Sequence, residues 1–270
     1  MTIFDSLLLG IIQGLTEFLP ISSSGHLILM REVLGINTQG GLTFDAILQL
    51  GTILAVFVYF RKLVLELIRD AVRYLIGQGK KVKKENRMLI LALIFGTIPA
   101  AALGFFLEDV METVFRSALL VAVTLIAGSL LFVAAERLAK QKFENVSPKQ
   151  GWWIGCFQLL ALIPGVSRSG ATISGGLLLG INRVTAARFS FLLALPIITG
   201  SGLKKLLDVY QFGIVDVSAL HLTLGFVSAF VVGLICIHYL LKYLKNHTLY
   251  AFVWYRLALA AIVLIAYIYY

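Results

Sequence analysis

Two apolar segments of this chain are each broken in the middle, and they are near-copies set 145 positions apart. Residues 10–25 read GIIQGLTEFLPISSSG and residues 155–170 read GCFQLLALIPGVSRSG. At that offset Gly10 matches Gly155, Gln13 matches Gln158, Ser22 matches Ser167, Ser24 matches Ser169 and Gly25 matches Gly170. Roughly one identity is expected by chance, so the chain is read as an internal duplication. The setting makes the breaks informative. With 59% hydrophobic and 14% charged residues, the chain is too apolar for a soluble domain and is read as a polytopic membrane protein. Inside a bilayer every backbone polar group needs a partner, so a Pro- and Ser/Gly-broken helix survives only where protein covers it or a polar cavity solvates it.

Six other stretches are long enough to cross: about 44–60, 88–107, 117–135, 186–204, 219–241 and 250–269. Residues 3–35 and 151–181 each read as two short helices that enter and leave on one side. Charge gives the orientation. The connection 61–87 carries nine Lys and Arg against three acids and should be cytoplasmic. Arg137, Lys140, Lys142, Lys149, Arg183, Arg188, Lys242 and Lys245 join it. The turn 108–116, with Glu108, Asp109 and Glu112 against Arg116, belongs outside, as do residues 36–43. Lys204 and Lys205 fall on that outer side against the trend. The expected fold is therefore all-α: six transmembrane helices plus two re-entrant helical hairpins, in one transmembrane domain. Its halves, about 1–135 and 150–270, each hold one hairpin and three crossings, so the second copy is inverted relative to the first.

The net charge of +9 sits in the loops between spans, where it sets topology, so no nucleic-acid partner is expected. No cleavable signal pattern is found in residues 1–30, which are expected in the mature protein. Cys156 and Cys236 read as structural thiols. Gly96, Ala100 and Gly104, like Gly225, Ala229 and Gly233, have the four-residue spacing of small residues that suits close helix packing in lipid.

In each copy a helix restarts after the Ser/Gly turn, with Ser22–Ser24 and Ser167–Ser169 at cap positions. Two helix N-termini facing each other at the protein's centre make an anion site, and phosphate is its natural guest. Arg168 adds a guanidinium fork suited to phosphate. Gln13 and Glu17 share one helical face, and His26 follows the turn. A carboxylate, an imidazole, hydroxyls and a guanidinium together can supply a base, an acid, a nucleophile and charge stabilisation. Each also has a quieter reading: serines as caps, Glu17 as the partner of Arg168, Gln13 and Gln158 as interhelical glue, Arg256 as a snorkelling or paired residue. A secondary transporter or flippase for a polyprenyl-phosphate carrier would use the same midplane architecture. Glu17 and His26 are the residues that a pure anion carrier does not require.

Gln13-x-x-x-Glu17 with PISSSGH (Pro20–His26), and PGVSRSGAT (Pro164–Thr172), resemble the two signature motifs of the undecaprenyl-pyrophosphate phosphatase family of the bacitracin-resistance type. The resemblance spans essentially the whole chain. It implies a multi-pass enzyme of the bacterial plasma membrane that hydrolyses undecaprenyl diphosphate to the monophosphate, opening mainly to the outer side. The implied substrate partner is a polyprenyl diphosphate lipid, and the implied cofactor Mg²⁺ or Ca²⁺; a homodimer is compatible with it. Carried onto this sequence, Glu17, Ser23, His26 and Arg168 are the catalytic residues, with Glu17 also a metal ligand. Gln13, Ser22, Ser24, Gly25, Ser167, Ser169 and Thr172 are the phosphate-binding set. Gln13 stands where some members have Glu, and an amide brings no charge to a metal. Two routes stay open: attack by Ser23 with His26 as its base, or attack by metal-bound water.

Overall fold

The structure is a computed structural model and describes residues 1–36, 41–113, 117–212 and 217–269. Residues 37–40 of the 36–43 connection, Arg116, and the side chains of Glu108, Asp109 and Glu112, on which the outside assignment rested, lie outside the described residues. The described residues fold into helices, and the one β contact among them is a bridge between Phe143 and Ile181.

Helices α1 (Ile3–Thr16) and α2 (Ser23–Leu34) form the first hairpin, followed by α3 (Gly41–Tyr59). Next come α4 (Arg61–Leu75), α5 (Lys84–Thr113) and α6 (Ala118–Leu138). The second hairpin is α7 (Pro148–Gln158) and α8 (Arg168–Leu178), followed by α9 (Arg183–Phe212), α10 (Ala219–Tyr243) and α11 (Tyr250–Tyr269). Segments of α5, α6, α9, α10 and α11 are long and apolar enough to cross a bilayer, and α3 with its bent continuation α4 makes a sixth. The chain is an all-α polytopic membrane protein, and each stretch read as a span coincides with one of these helices.

The duplication reaches into capping. Thr2 and Asp5 exchange hydrogen bonds at the start of α1, the Thr2 N–H donating to Asp5 Oδ2 at 2.6 Å and the Asp5 N–H to Thr2 Oγ1 at 3.2 Å. Ser147 and Gln150, 145 positions later, do the same at the start of α7, at 2.9 and 3.3 Å. Such reciprocal caps satisfy donors that a helix start leaves free, and they fix where each hairpin begins.

The copies are interlocked. Helix α1 packs on α10 of the second half, and α7 packs on α5 of the first. Glycines make both crossings. A Cβ on Gly14 would lie 2.8 Å from the Ala229 carbonyl oxygen, and one on Gly155 would lie 2.8 Å from Gly96 Cα. Backbone thus rests on backbone, which in lipid supplies dispersion where no hydrophobic drive exists.

The 61–87 segment corrects a sequence expectation, since it is no simple charged connection. It holds α4, turned 84° from the end of α3. Val64 and Leu67 are buried on one side of it, while Arg61, Lys62 and Arg69 stay exposed. An amphipathic helix turned so sharply from the span before it suits the membrane surface, with α3 making the crossing. It is pinned to α5 by Asn86 Nδ2, which donates to Glu66 Oε1 at 3.0 Å and Asp70 Oδ2 at 2.7 Å. This amide is the main cause holding both carboxyls below their ordinary range.

Candidate active site

The two breaks are built alike. Glu17 closes α1, its N–H donating to the Gln13 carbonyl at 2.9 Å. The chain then turns through Pro20 to Ser22, whose φ is 75°. In the second copy Ser167 has φ 80° after Pro164 and Gly165. A left-handed conformation costs a non-glycine residue about 1–3 kcal/mol and persists where its surroundings over-determine it. Here each serine caps the new helix, accepting from the Gly25 N–H at 3.3 Å and the Gly170 N–H at 3.1 Å. The N–H groups of Ser23, Ser24, Arg168 and Ser169 belong to the first turns and have no intrahelical acceptor.

The turns also clasp each other. The Gly165 N–H donates to Ser22 Oγ at 3.1 Å, and Ser169 Oγ donates to the Leu19 carbonyl at 3.2 Å. Arg256 of α11 binds both. Fully buried, it donates to the carbonyls of Pro20, Gly165 and Val166 in the two turns, and to Thr124, Leu125 and Ser129 of α6. Its guanidinium lies 4.7 Å from the Phe132 ring centroid. Neither snorkelling nor ion pairing describes it, so that expectation is corrected. Carbonyls freed where the helices break carry the partial negative charge that an acid would otherwise supply. An Arg within an apolar span, with no acid beside it, was the available signal.

The reactive groups meet at Glu17, which is 7% exposed. Its Oε2 accepts from Ser23 Oγ at 2.7 Å and Gln13 Nε2 at 2.9 Å. Its Oε1 accepts from Arg168 Nη2 at 3.0 Å. Arg168 is oriented by the Ser190 carbonyl, 3.0 Å from Nη1. Glu17, Ser22, Ser23, Ser24, Ser167 and Arg168 line one cavity of about 1100 Å³, with Arg31, Lys204 and Lys205 also in its wall.

Other expected residues stand elsewhere. His26 is absent from the cavity wall: its Nδ1 lies 2.7 Å from the Ser22 carbonyl and its Nε2 2.7 Å from the Tyr255 hydroxyl, with the two rings stacked. A carbonyl only accepts, so Nδ1 carries a proton, and the ring braces the turn. The group that accepts from Ser23 Oγ is Glu17, while both ring nitrogens of His26 are engaged elsewhere. Ser169 and Thr172 are fully buried off the cavity; Thr172 Oγ1 donates to Ser190 Oγ at 2.6 Å, so its hydroxyl is held by protein. Gly25 is buried against α6, 3.0 Å from Val121 for an added Cβ. Gln13 is buried behind Glu17 and supports it.

A divalent cation wants six or more hard oxygens. Among the described residues no group of three or more His, Cys, Asp or Glu side chains is placed to hold one. Glu17 is the carboxylate of the centre, and both of its oxygens are engaged. This donor set does not make a dedicated protein metal site.

Fold and site together define a class: a multi-pass membrane protein whose broken helices meet at a buried centre holding a hydroxyl, a carboxylate and a guanidinium. A family model described as bacitracin resistance protein BacA matches residues 6–262. The chain belongs to that family. Similar proteins include one named undecaprenyl-diphosphatase from Trichlorobacter lovleyi, 46% identical over 261 residues, covering 96% of this chain and 94% of the relative. Proteins of the same name from Elusimicrobium minutum and Methanosphaera stadtmanae are 43% and 39% identical, with at least 97% of each chain covered.

Proposed function

We propose that this chain hydrolyses undecaprenyl diphosphate to undecaprenyl phosphate and inorganic phosphate in the bacterial plasma membrane. The observation that carries the mechanism is the Ser23 hydroxyl on the Glu17 carboxylate at 2.7 Å, in the wall of a cavity that also exposes Arg168. Glu17 takes the Ser23 proton as Oγ attacks the terminal phosphorus. The phosphorus–oxygen bond to the bridging oxygen breaks, and undecaprenyl phosphate departs with the proton that Glu17 passes to it, which leaves Glu17 ionised again. Arg168 and the first-turn N–H groups of α2 and α8 stabilise charge on the transferring phosphoryl oxygens. Water then attacks the phosphoserine; Glu17 accepts its proton and Ser23 Oγ recovers one as phosphate leaves. Mg²⁺ or Ca²⁺ enters this proposal only as a counter-ion of the diphosphate, and no step runs through it.

The cavity takes in Ser117, Lys204 and Lys205, at the helix ends remote from the Lys- and Arg-rich 61–87, 137–149 and 242–245 segments. With basic loops inside, the site opens to the outer face. Lys204 and Lys205 then serve the mouth as an attractive rim for an anionic headgroup.

Quenched turnover with a diphosphate carrying radioactive terminal phosphate tests this. Wild type is expected to hold label on serine, and Ser23→Ala to lose both label and turnover. Full turnover in Ser23→Ala defeats the covalent route. Absence of phosphate release by wild type returns the chain to the transporter reading.

A further inference from the structure

Gln158 is the repeat mate of Gln13, yet its surroundings differ. In the first copy the amide of Gln13 donates to Glu17, four residues on. The residue that far beyond Gln158 is Leu162, so the second copy has no carboxylate there. Gln158 is 3% exposed, it forms part of the cavity wall, and neither Nε2 nor Oε1 has a protein partner among the described residues. Glue between helices requires a bond to the neighbouring helix, and this amide makes none. A buried amide left unpaired on both atoms is destabilising, and an apolar side chain of equal length would fill the space without that penalty. The cavity it borders also holds Ser23 and Arg168.

We infer that Gln158 is a substrate-binding residue whose amide donates to an oxygen of the diphosphate. The chemistry is one-sided: an ionised diphosphate only accepts, and the amide offers two N–H groups. Gln158 would thus supply a neutral donor from the second hairpin, where Arg168 supplies a charged one. This rests on the phosphatase reading for its substrate.

The test compares full-length wild type, Gln158→Met and Gln158→Glu in detergent. Measured are phosphate release from a polyprenyl diphosphate, the melting temperature of the ligand-free protein, and the melting shift produced by inorganic pyrophosphate. A hydrogen bond to a charged group is worth enough that Gln158→Met should raise KM roughly 10- to 100-fold. Its kcat should stay within about threefold, because the bond is made equally before and during reaction. Gln158→Glu should raise KM further, its carboxylate repelling the diphosphate. Ligand-free Gln158→Met should melt at or above wild type, and its pyrophosphate shift should require roughly 10- to 100-fold more ligand. An unchanged KM, or a pyrophosphate shift with the wild-type concentration dependence in Gln158→Met, overturns the inference. So does Gln158→Met melting well below wild type or failing to fold, because the amide would then be structural. Wild type that releases no phosphate but is stabilised by pyrophosphate sinks the phosphatase reading, while the shift in Gln158→Met still decides the role of this amide.

Discussion

Replacing Glu17 by glutamine should separate turnover from binding, driving them in opposite directions. The change is isosteric and removes one charge from a carboxylate that holds Ser23, Gln13 and Arg168 within 3.0 Å. Loss of a positioned general base lowers rate by roughly 100- to 10,000-fold, so kcat should fall by that much. The Arg168 pair is 14% and 6% exposed on its two side chains. At about 4 Å between charge centres, and an effective dielectric near 20, its gross attraction is about 4 kcal/mol. An arriving diphosphate competes against that attraction and is itself repelled by Glu17. Re-solvation of the freed guanidinium returns most of the gross figure. About 1.4 kcal/mol remaining would tighten anion binding about tenfold. Calorimetric titration of Glu17→Gln with a non-hydrolysable methylene diphosphonate reads this directly. Weaker binding, in step with the lost turnover, would refute the reasoning. That result belongs to a carboxylate that attaches substrate through a shared cation.

Three further outcomes follow from the scaffold. Arg256→Met deprives the buried carbonyls of Pro20, Gly165 and Val166 of a donor, a gross loss of about 1–3 kcal/mol each, partly offset by no longer burying a cation. The protein should melt markedly lower, with Arg256→Lys a poor rescue because one ammonium cannot span both turns; wild-type melting of Arg256→Met would contradict this. Gly155→Leu should unseat the second hairpin from α5 and lower melting temperature and activity together, whereas Gly104→Ala, whose nearest neighbour is Leu162 Cδ2 at 3.8 Å, should melt normally. Finally, Asp70 has a lowered pKa, chiefly through Asn86. Its contribution to docking α4 is present above the ordinary aspartate value of 3.8 and is lost as pH falls through the lowered one. Protection of α4 amides from hydrogen exchange, corrected for the pH dependence of intrinsic exchange, should therefore fall on acidification, and Asn86→Ala should weaken that dependence.

Much of this architecture could be read from the chain because membrane burial is unforgiving. An apolar run near 20 residues has few alternatives to a span, and a Pro/Ser/Gly break inside one forces a protein-lined turn. The α4 helix escaped notice because its charges read as a loop, while its apolar positions are too few to read as a span. The Ser23–Glu17 pair escaped for another reason. The family resemblance sets Ser23 and His26 in one motif, PISSSGH, and that suggested a partner. Ser23 instead begins α2 and reaches back across the break to the end of α1, a contact made only when the chain folds over Pro20. Arg256 was harder still, since its acceptors come from segments about 90 to 236 residues away in sequence.

The duplication gives the site its shape, and three mismatched pairs give it a direction. Ser23 and Arg168 occupy equivalent positions, each the first residue of the helix after its break. A hydroxyl and a guanidinium thus approach one cavity from two helix starts, each with N–H groups that lack an intrahelical acceptor beside it. The mates of Glu17, His26 and Gln13 are Leu162, Ala171 and Gln158. The carboxylate and the imidazole are therefore confined to the first hairpin, and Arg168 and Gln158 of the second can donate to an anion. A site with both copies alike would hold a phosphate equally from either side and activate nothing. Removing the acid from one copy leaves Arg168 to answer to Glu17 until a diphosphate arrives. The resting ion pair, the base and the anion clamp are then one arrangement in two states of occupancy, and for that reason Glu17→Gln should bind better while it turns over worse.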